Sequence, residues 1–265
     1  MLITSLHNPK IKYAASLRES RQRKKDRVML VEGRDEIVMA LESGAKPQML
    51  FYCFDFFGEG DHSSLMEQIV QRGSGTMEVN KRVFEKIAYR ENPDGWLAIF
   101  PSIQMTLDDL KLGDNPLIVV VESVEKPGNL GAILRTSDAA NVDALLICDP
   151  KIDLGNPNVL RTSRGTVFTM AIALTTSAEA LRWLKAHGIK TVAATPEGAT
   201  LYTEANLRQP IAIIVGTEKG GLSALWRNGA DIKARVPLFG KINSLNVSVS
   251  TALFIYEAVR QRGRR

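Results

Sequence analysis

The chain has 265 residues, 45% hydrophobic and 24% charged, proportions ordinary for a soluble globular protein of one large or two modest domains. No apolar run reaches the roughly 18 residues needed to span a bilayer, and the opening MLITSLHNPKIKYAASLRES lacks the apolar core of a secretory signal, so a cytoplasmic protein with no membrane partner is expected. The formal charge is +5, the two cysteines (Cys53 and Cys148) lie too far apart to suggest a disulfide framework, and the three histidines lack metal-ligand spacing, so no metal is expected.

Residues 12–25 read as a helix within a basic stretch: Lys10, Lys12, Arg18, Arg21, Arg23, Lys24, Lys25 and Arg27 face only Glu19 and Asp26. Clustered cations of this kind neutralise phosphates and release counterions. A strand over 27–33 ends in a glycine, and an amphipathic helix over 35–43 starts on Asp35 and Glu36 and is capped by Gly44. Strand 48–54, helix 62–72, strand TMEVN, helix KRVFEKIA and strand 95–100 complete a small α/β region. We place this first domain at 1–104 and a polar linker, with a Gly-Asp-Asn turn, at 105–115.

A second alternation fills 116–265. LIVVVES, 117–123, is the β-branched run of a central parallel strand buried on both faces. Helix 129–140, strand ALLIC, strand 167–174, helix 177–187 and strand IKTVAAT follow. Strand 211–216, a short helix near Leu222, the segment DIKARVPL leading into a loop over 239–245, and a last helix from about Asn246 follow. A second basic group, Arg260, Arg262, Arg264 and Arg265, reads as a solvated helix face and tail.

Three segments just after buried strands carry the polar chemistry, the place where open parallel sheets bind ligands. In ESVEKPGNLGAILRTSDAA, Pro127 and Gly128 make a tight turn, and Asn129 and Arg135 are polar groups on different helical faces. In IIVGTEKGGLSALW, Gly216, Gly220 and Gly221 allow a backbone to close on a ligand. This is neither a dinucleotide fingerprint nor a phosphate loop, and Glu218 inside the turn would repel a phosphate and suits a hydroxyl or a cation. In VPLFGKINSLNVSVS, Ser244, Asn246 and Ser248 exceed what one helix cap requires.

The residues NLGxxxR at 129–135, GTEKGG at 216–221 and SLNVSV at 244–249 resemble, in order and spacing, the three motifs of the SpoU/TrmH RNA methyltransferases of the SPOUT superfamily. The whole arrangement is similar to the rRNA 2'-O-ribose methyltransferases of that family, including the thiostrepton-resistance type. The resemblance implies an α/β fold: a C-terminal parallel-sheet domain with a deep trefoil knot, and a smaller N-terminal α/β RNA-binding domain. It implies S-adenosylmethionine as cofactor, with contacts at Thr195, Gly216, Val236, Leu245 and Asn246, and a homodimer joined through the catalytic domains. It assigns the central catalytic role to Arg135, with Asn129, Glu218, Ser244 and Asn246 around it, and it points to Lys10, Lys24, Lys25 and Arg34 as RNA contacts. An rRNA acceptor is favoured because compact tRNA enzymes of this family often lack the first domain. A tRNA acceptor, or an inactive RNA-binding assembly factor, is the alternative.

Overall fold

The computed structural model describes residues 2–103, 105–217 and 220–263. The chain forms two compact units, Met1–Ile103 with Asp153–Thr169, and Gln104–Ile152 with Met170–Arg265.

The first unit opens with α1 (Pro9–Ser16) and α2 (Ser20–Asp26), so the single helix expected over 12–25 is two. The reason is Arg23, only 2% exposed. Its Nη1 donates to the carbonyls of Leu17 (2.7 Å) and Arg18 (2.8 Å), groups that the break leaves without helical partners. Its Nε and Nη2 donate to the Asp153 carboxylate at 2.9 and 2.6 Å. One cation of the basic stretch is therefore internal and structural.

β1 (Val28–Glu32), α3 (Arg34–Glu42), β2 (Met49–Tyr52), α4 (Ser63–Gln71), β3 (Gly75–Glu78), α5 (Lys81–Ile87) and β4 (Trp96–Pro101) follow. The four strands lie in the order β1-β4-β2-β3, with β4 antiparallel to both neighbours and β2 parallel to β3. Ile11, Leu17, Leu30, Phe51, Phe84 and Leu97 share one buried cluster that joins α1 and α5 to the sheet.

The second unit begins with β5 (Leu117–Glu122), α6 (Pro127–Ala139) and β6 (Ala144–Cys148). The chain then contributes Asp153–Thr169, carrying α7 (Pro157–Ser163), to the first unit, although the sequence places this segment in the second domain. The Arg23–Asp153 pair and a 5.4 Å ring contact between Phe100 and Phe168 hold it there. The strand expected over 167–174 is consequently short. Residues 166–168 make a 3-10 turn after Gly165 (φ +82°), and β7 covers only Ile172–Thr175.

Then come α8 (Ser177–Ala186), β8 (Lys190–Ala194), β9 (Thr200–Leu201), β10 (Ile211–Val215), α9 (Ala224–Gly229), β11 (Ile232–Arg235) and α10 (Val247–Arg262). The seven strands run in the order β7-β6-β5-β10-β8-β11-β9, and every pairing is parallel. β5, β6 and β10 are buried at every residue, as central strands covered on both faces must be. Cys53 and Cys148 are buried free thiols, and burial pushes the Cys148 thiol well above its usual range. No helix among the described residues is long and apolar enough to cross a membrane.

Arg262 ends α10 by donating to the carbonyls of Leu207 (2.9 Å), Gln209 (2.7 Å) and Asn115 (2.9 Å). The terminal basic group is thus partly a clamp on this unit's loops, while Arg264 and Arg265 lie outside the described residues.

Candidate active site

Because the sheet is all parallel, the loops after β5, β8, β10 and β11 leave from one edge. β10 stops at Val215 and the chain turns at Gly216. Thr217 and Gly221 close the turn through two backbone hydrogen bonds of 3.1 and 2.9 Å, and the Thr217 hydroxyl accepts from the Gly220 N–H at 2.9 Å. A Cβ at Gly216 would lie 2.3 Å from the Gly221 carbonyl oxygen and 2.8 Å from the Leu222 nitrogen, so only glycine fits. Below the turn, the buried Glu122 at the end of β5 accepts from the Ser223 N–H at 2.8 Å and from the Ser177 hydroxyl at 2.9 Å. This carboxylate ties the turn to the sheet.

The loop after β8 is held as tightly. Gly198 lies against the β11 backbone, where an added Cβ would meet Ala234 at 2.6 Å. Arg235 donates to the carbonyls of Gly198 and Ala199 at 2.5 and 2.7 Å. The Thr195 hydroxyl donates to the Glu197 carboxylate. That bond, the residue's own backbone N–H and the nearby Arg227 charge hold Glu197 below the usual carboxylate range.

These loops and the start of α10 enclose a cavity of about 470 Å³, within the range of small-molecule sites. Thr195, Gly216, Val236 and Leu245, four of the five expected cofactor contacts, line it together with Ser244. Asn246, the fifth, stands beside it as the cap of α10. Its Oδ1 accepts from the Ser248 N–H (2.9 Å) and hydroxyl (2.6 Å), and its Nδ2 donates to Asn129 Oδ1 at 3.1 Å. The first and third motifs, 117 residues apart, are therefore directly bonded.

Arg135 is exposed on α6, six residues beyond Asn129, and does not line the cavity. Six residues advance about 9 Å along a helix, and the two side chains leave α6 on different faces. Glu218, also expected here, lies outside the described residues. Sequence reading missed Glu197 and Arg227, which line the same cavity with opposite charges. The available signal was a carboxylate two residues past the Thr195 strand end; Arg227 sits in a short helix and carries none.

The expected RNA contacts lie in the first unit. Lys10, Lys24 and Lys25 are exposed on α1 and α2, and Arg34 is half-buried at the start of α3, where its N–H donates to Asp94 at 2.7 Å. Arg34 shares a cleft with Arg90, with Arg161 of α7 and with Arg164 just after that helix.

The model of the SpoU rRNA Methylase family matches residues 116–256, and that of the MRM3-like substrate binding domain matches 8–98. The 23S rRNA (guanosine(2553)-2'-O)-methyltransferase RlmP of Bacillus subtilis is 28% identical over 255 residues, 96% of this chain and 97% of the relative. A crystal structure of an RNA 2'-O ribose methyltransferase is 40% identical, covers 99% of both chains and superposes with a TM-score of 0.84. The AdoMet-bound rRNA methyltransferase from Sinorhizobium meliloti is 30% identical over 98% of this chain and 97% of that one, with a TM-score of 0.90. The parallel sheet, the three motif segments gathered at its edge and the family match over more than half the length lead to one conclusion: the chain belongs to the SpoU rRNA methylase family.

Proposed function

We propose that the chain transfers a methyl group from S-adenosylmethionine to a ribose 2'-hydroxyl of ribosomal RNA. The observation that carries this is the cavity where the second and third motifs meet, bonded through Asn246 to Asn129 of the first. The cavity fits such a cofactor: Gly216 leaves backbone accessible, Val236 and Leu245 offer apolar surface, and Glu197 offers a carboxylate to hydroxyls or a cation. The AdoMet-bound relative supports the cofactor, and the relative named for 23S rRNA supports the acceptor. In this reading residues 1–104 hold the RNA, through Lys10, Lys24, Lys25 and Arg34, residues 105–115 link, and 116–265 catalyse.

S-adenosylmethionine supplies an electrophilic methyl on a sulfonium. The protein must hold the acceptor hydroxyl in line and assist loss of its proton. Positioning of this kind contributes about 7–11 kcal/mol at best. Arg135 is always charged, so it acts as a bidentate grip on the target phosphate and stabilises the alkoxide as it forms, rather than as a free base. The Asn129–Asn246 bond orients both amides, the Ser244 hydroxyl bonds the nucleotide, and Glu218 would orient Arg135 or the ribose. The deep trefoil threading belongs to the same reading, supported by three loops and the start of α10 closing on one cavity. So does a homodimer. Val249 and Tyr256 are 48% and 51% exposed on α10, and with Ala252 and Leu253 they form an apolar strip that a second copy would cover. Sedimentation of the full chain reads that directly. In this reading the enzyme would act in the cytoplasm, where its substrate is made.

The test is tritium transfer from labelled S-adenosylmethionine to in vitro transcribed 23S rRNA. Arg135→Ala should lower turnover by about 10²–10³-fold with calorimetric cofactor affinity unchanged. Wild-type turnover in that variant would remove Arg135 from the mechanism, and transfer to tRNA but not to the transcript would reassign the acceptor.

A further inference from the structure

The loop over 236–245 joins β11 to α10 and borders the cavity through Leu238, Asn243 and Ser244. Between those residues Phe239 is 96% exposed, the most of any large hydrophobic side chain described, and Ile242 is 62% exposed. Lys241 between them is exposed as well. Isolated exposed apolar residues are common on protein surfaces, but Phe239 differs from the chain's other exposed phenylalanine. Phe54, 59% exposed, packs edge-on against Tyr52 and Phe57, whereas Phe239 meets no other ring among the described residues. The ends of the loop are fixed, one by the Arg235 clamp on Gly198 and Ala199, the other by the Asn246 cap. The ring is therefore presented at the rim of the cavity from a segment anchored on both sides.

Under the function proposed above, on which this inference rests, RNA must lie over that rim. A ribose hydroxyl can be presented in line only if its nucleotide leaves regular helical stacking, and the bases so freed need new flat apolar partners. Aromatic side chains supply them to any base, and a nearby cation tracks the phosphates. We propose that Phe239 is a stacking platform for a nucleobase of the substrate RNA, with Lys241 contacting an adjacent phosphate. Phe239 is then a positioning group for the RNA and takes no part in holding the cofactor.

The experiment uses the full chain and an in vitro transcript of 23S rRNA at fixed salt. Phe239→Ala should weaken transcript binding about tenfold, raise KM for the transcript in the same proportion, and leave calorimetric affinity for S-adenosylmethionine and the sedimentation behaviour unchanged. Phe239→Trp should restore binding, and Phe239→Leu, apolar without a ring, should not. Lys241→Ala should reduce the slope of log affinity against log salt by about one. Three results would overturn the proposal: unchanged RNA affinity in Phe239→Ala, full rescue by Phe239→Leu, or a change in oligomeric state that makes a second copy the ring's partner. Absence of methyl transfer by the wild-type chain would count against the reaction alone, because transcript affinity is read without turnover.

Discussion

Replacing Gly216 by alanine tests whether the turn after β10 builds the cofactor site. The new Cβ would sit 2.3 Å from the Gly221 carbonyl oxygen, 2.6 Å from its carbon and 2.8 Å from the Leu222 nitrogen, all backbone atoms that no rotamer change can move aside. Ordinary contact begins near 3.4 Å, so the turn must open by about 1 Å. That motion breaks the two hydrogen bonds between Thr217 and Gly221. At about 1 kcal/mol each, re-forming them to bind the cofactor would cost about 2 kcal/mol, or roughly thirtyfold in affinity. A displacement of about 1 Å in an active site can also lower turnover by about 10²-fold. Calorimetric titration with S-adenosylmethionine reads the first effect and methyl transfer to the transcript the second. Gly113→Ala, whose Cβ meets nothing within 4 Å, is the control and should be silent. Wild-type cofactor affinity in a folded Gly216→Ala chain would refute the assignment of this turn to the site.

Arg23→Ala removes a guanidinium that satisfies Asp153 and two carbonyls inside the first unit, and breaking such a buried pair costs about 3–5 kcal/mol. Thermal unfolding of the first unit should move down by several degrees, and Arg23→Lys, which keeps the charge but loses the planar fork, should not restore it; an unchanged midpoint would contradict the structural role. Glu197 is held below the usual carboxylate range first by the Thr195 hydroxyl, then by its own backbone and Arg227. A depressed carboxylate is ionised above its folded value, so its contribution to cofactor affinity should be flat through neutral pH and lost only as pH falls through that value. In Thr195→Val the largest cause of the depression is gone, so the loss should begin at higher pH. Superimposable affinity–pH profiles for the two chains would exclude a cofactor contact by Glu197.

The central strands could be read from local signals alone. β5, β6 and β10 are continuous apolar runs because strands covered on both faces have no polar side to alternate with. The glycines and small polar residues behind them marked ligand turns, and three such segments in order were enough to identify the family. What local pattern could not encode is proximity across the chain. Arg23 looked like one more surface cation, yet it turns inward because Asp153, 130 residues away, completes its site. The segment 153–169 follows β6 in sequence, yet it packs with the first compact unit. Glu197 and Arg227 share a cavity only because β8, β10 and β11 stand side by side in the sheet. Periodicity and turn chemistry are set by neighbours a few residues apart, and these the sequence carries openly; the charge, burial and partners of a site depend on strand order, which exists only once the chain is folded.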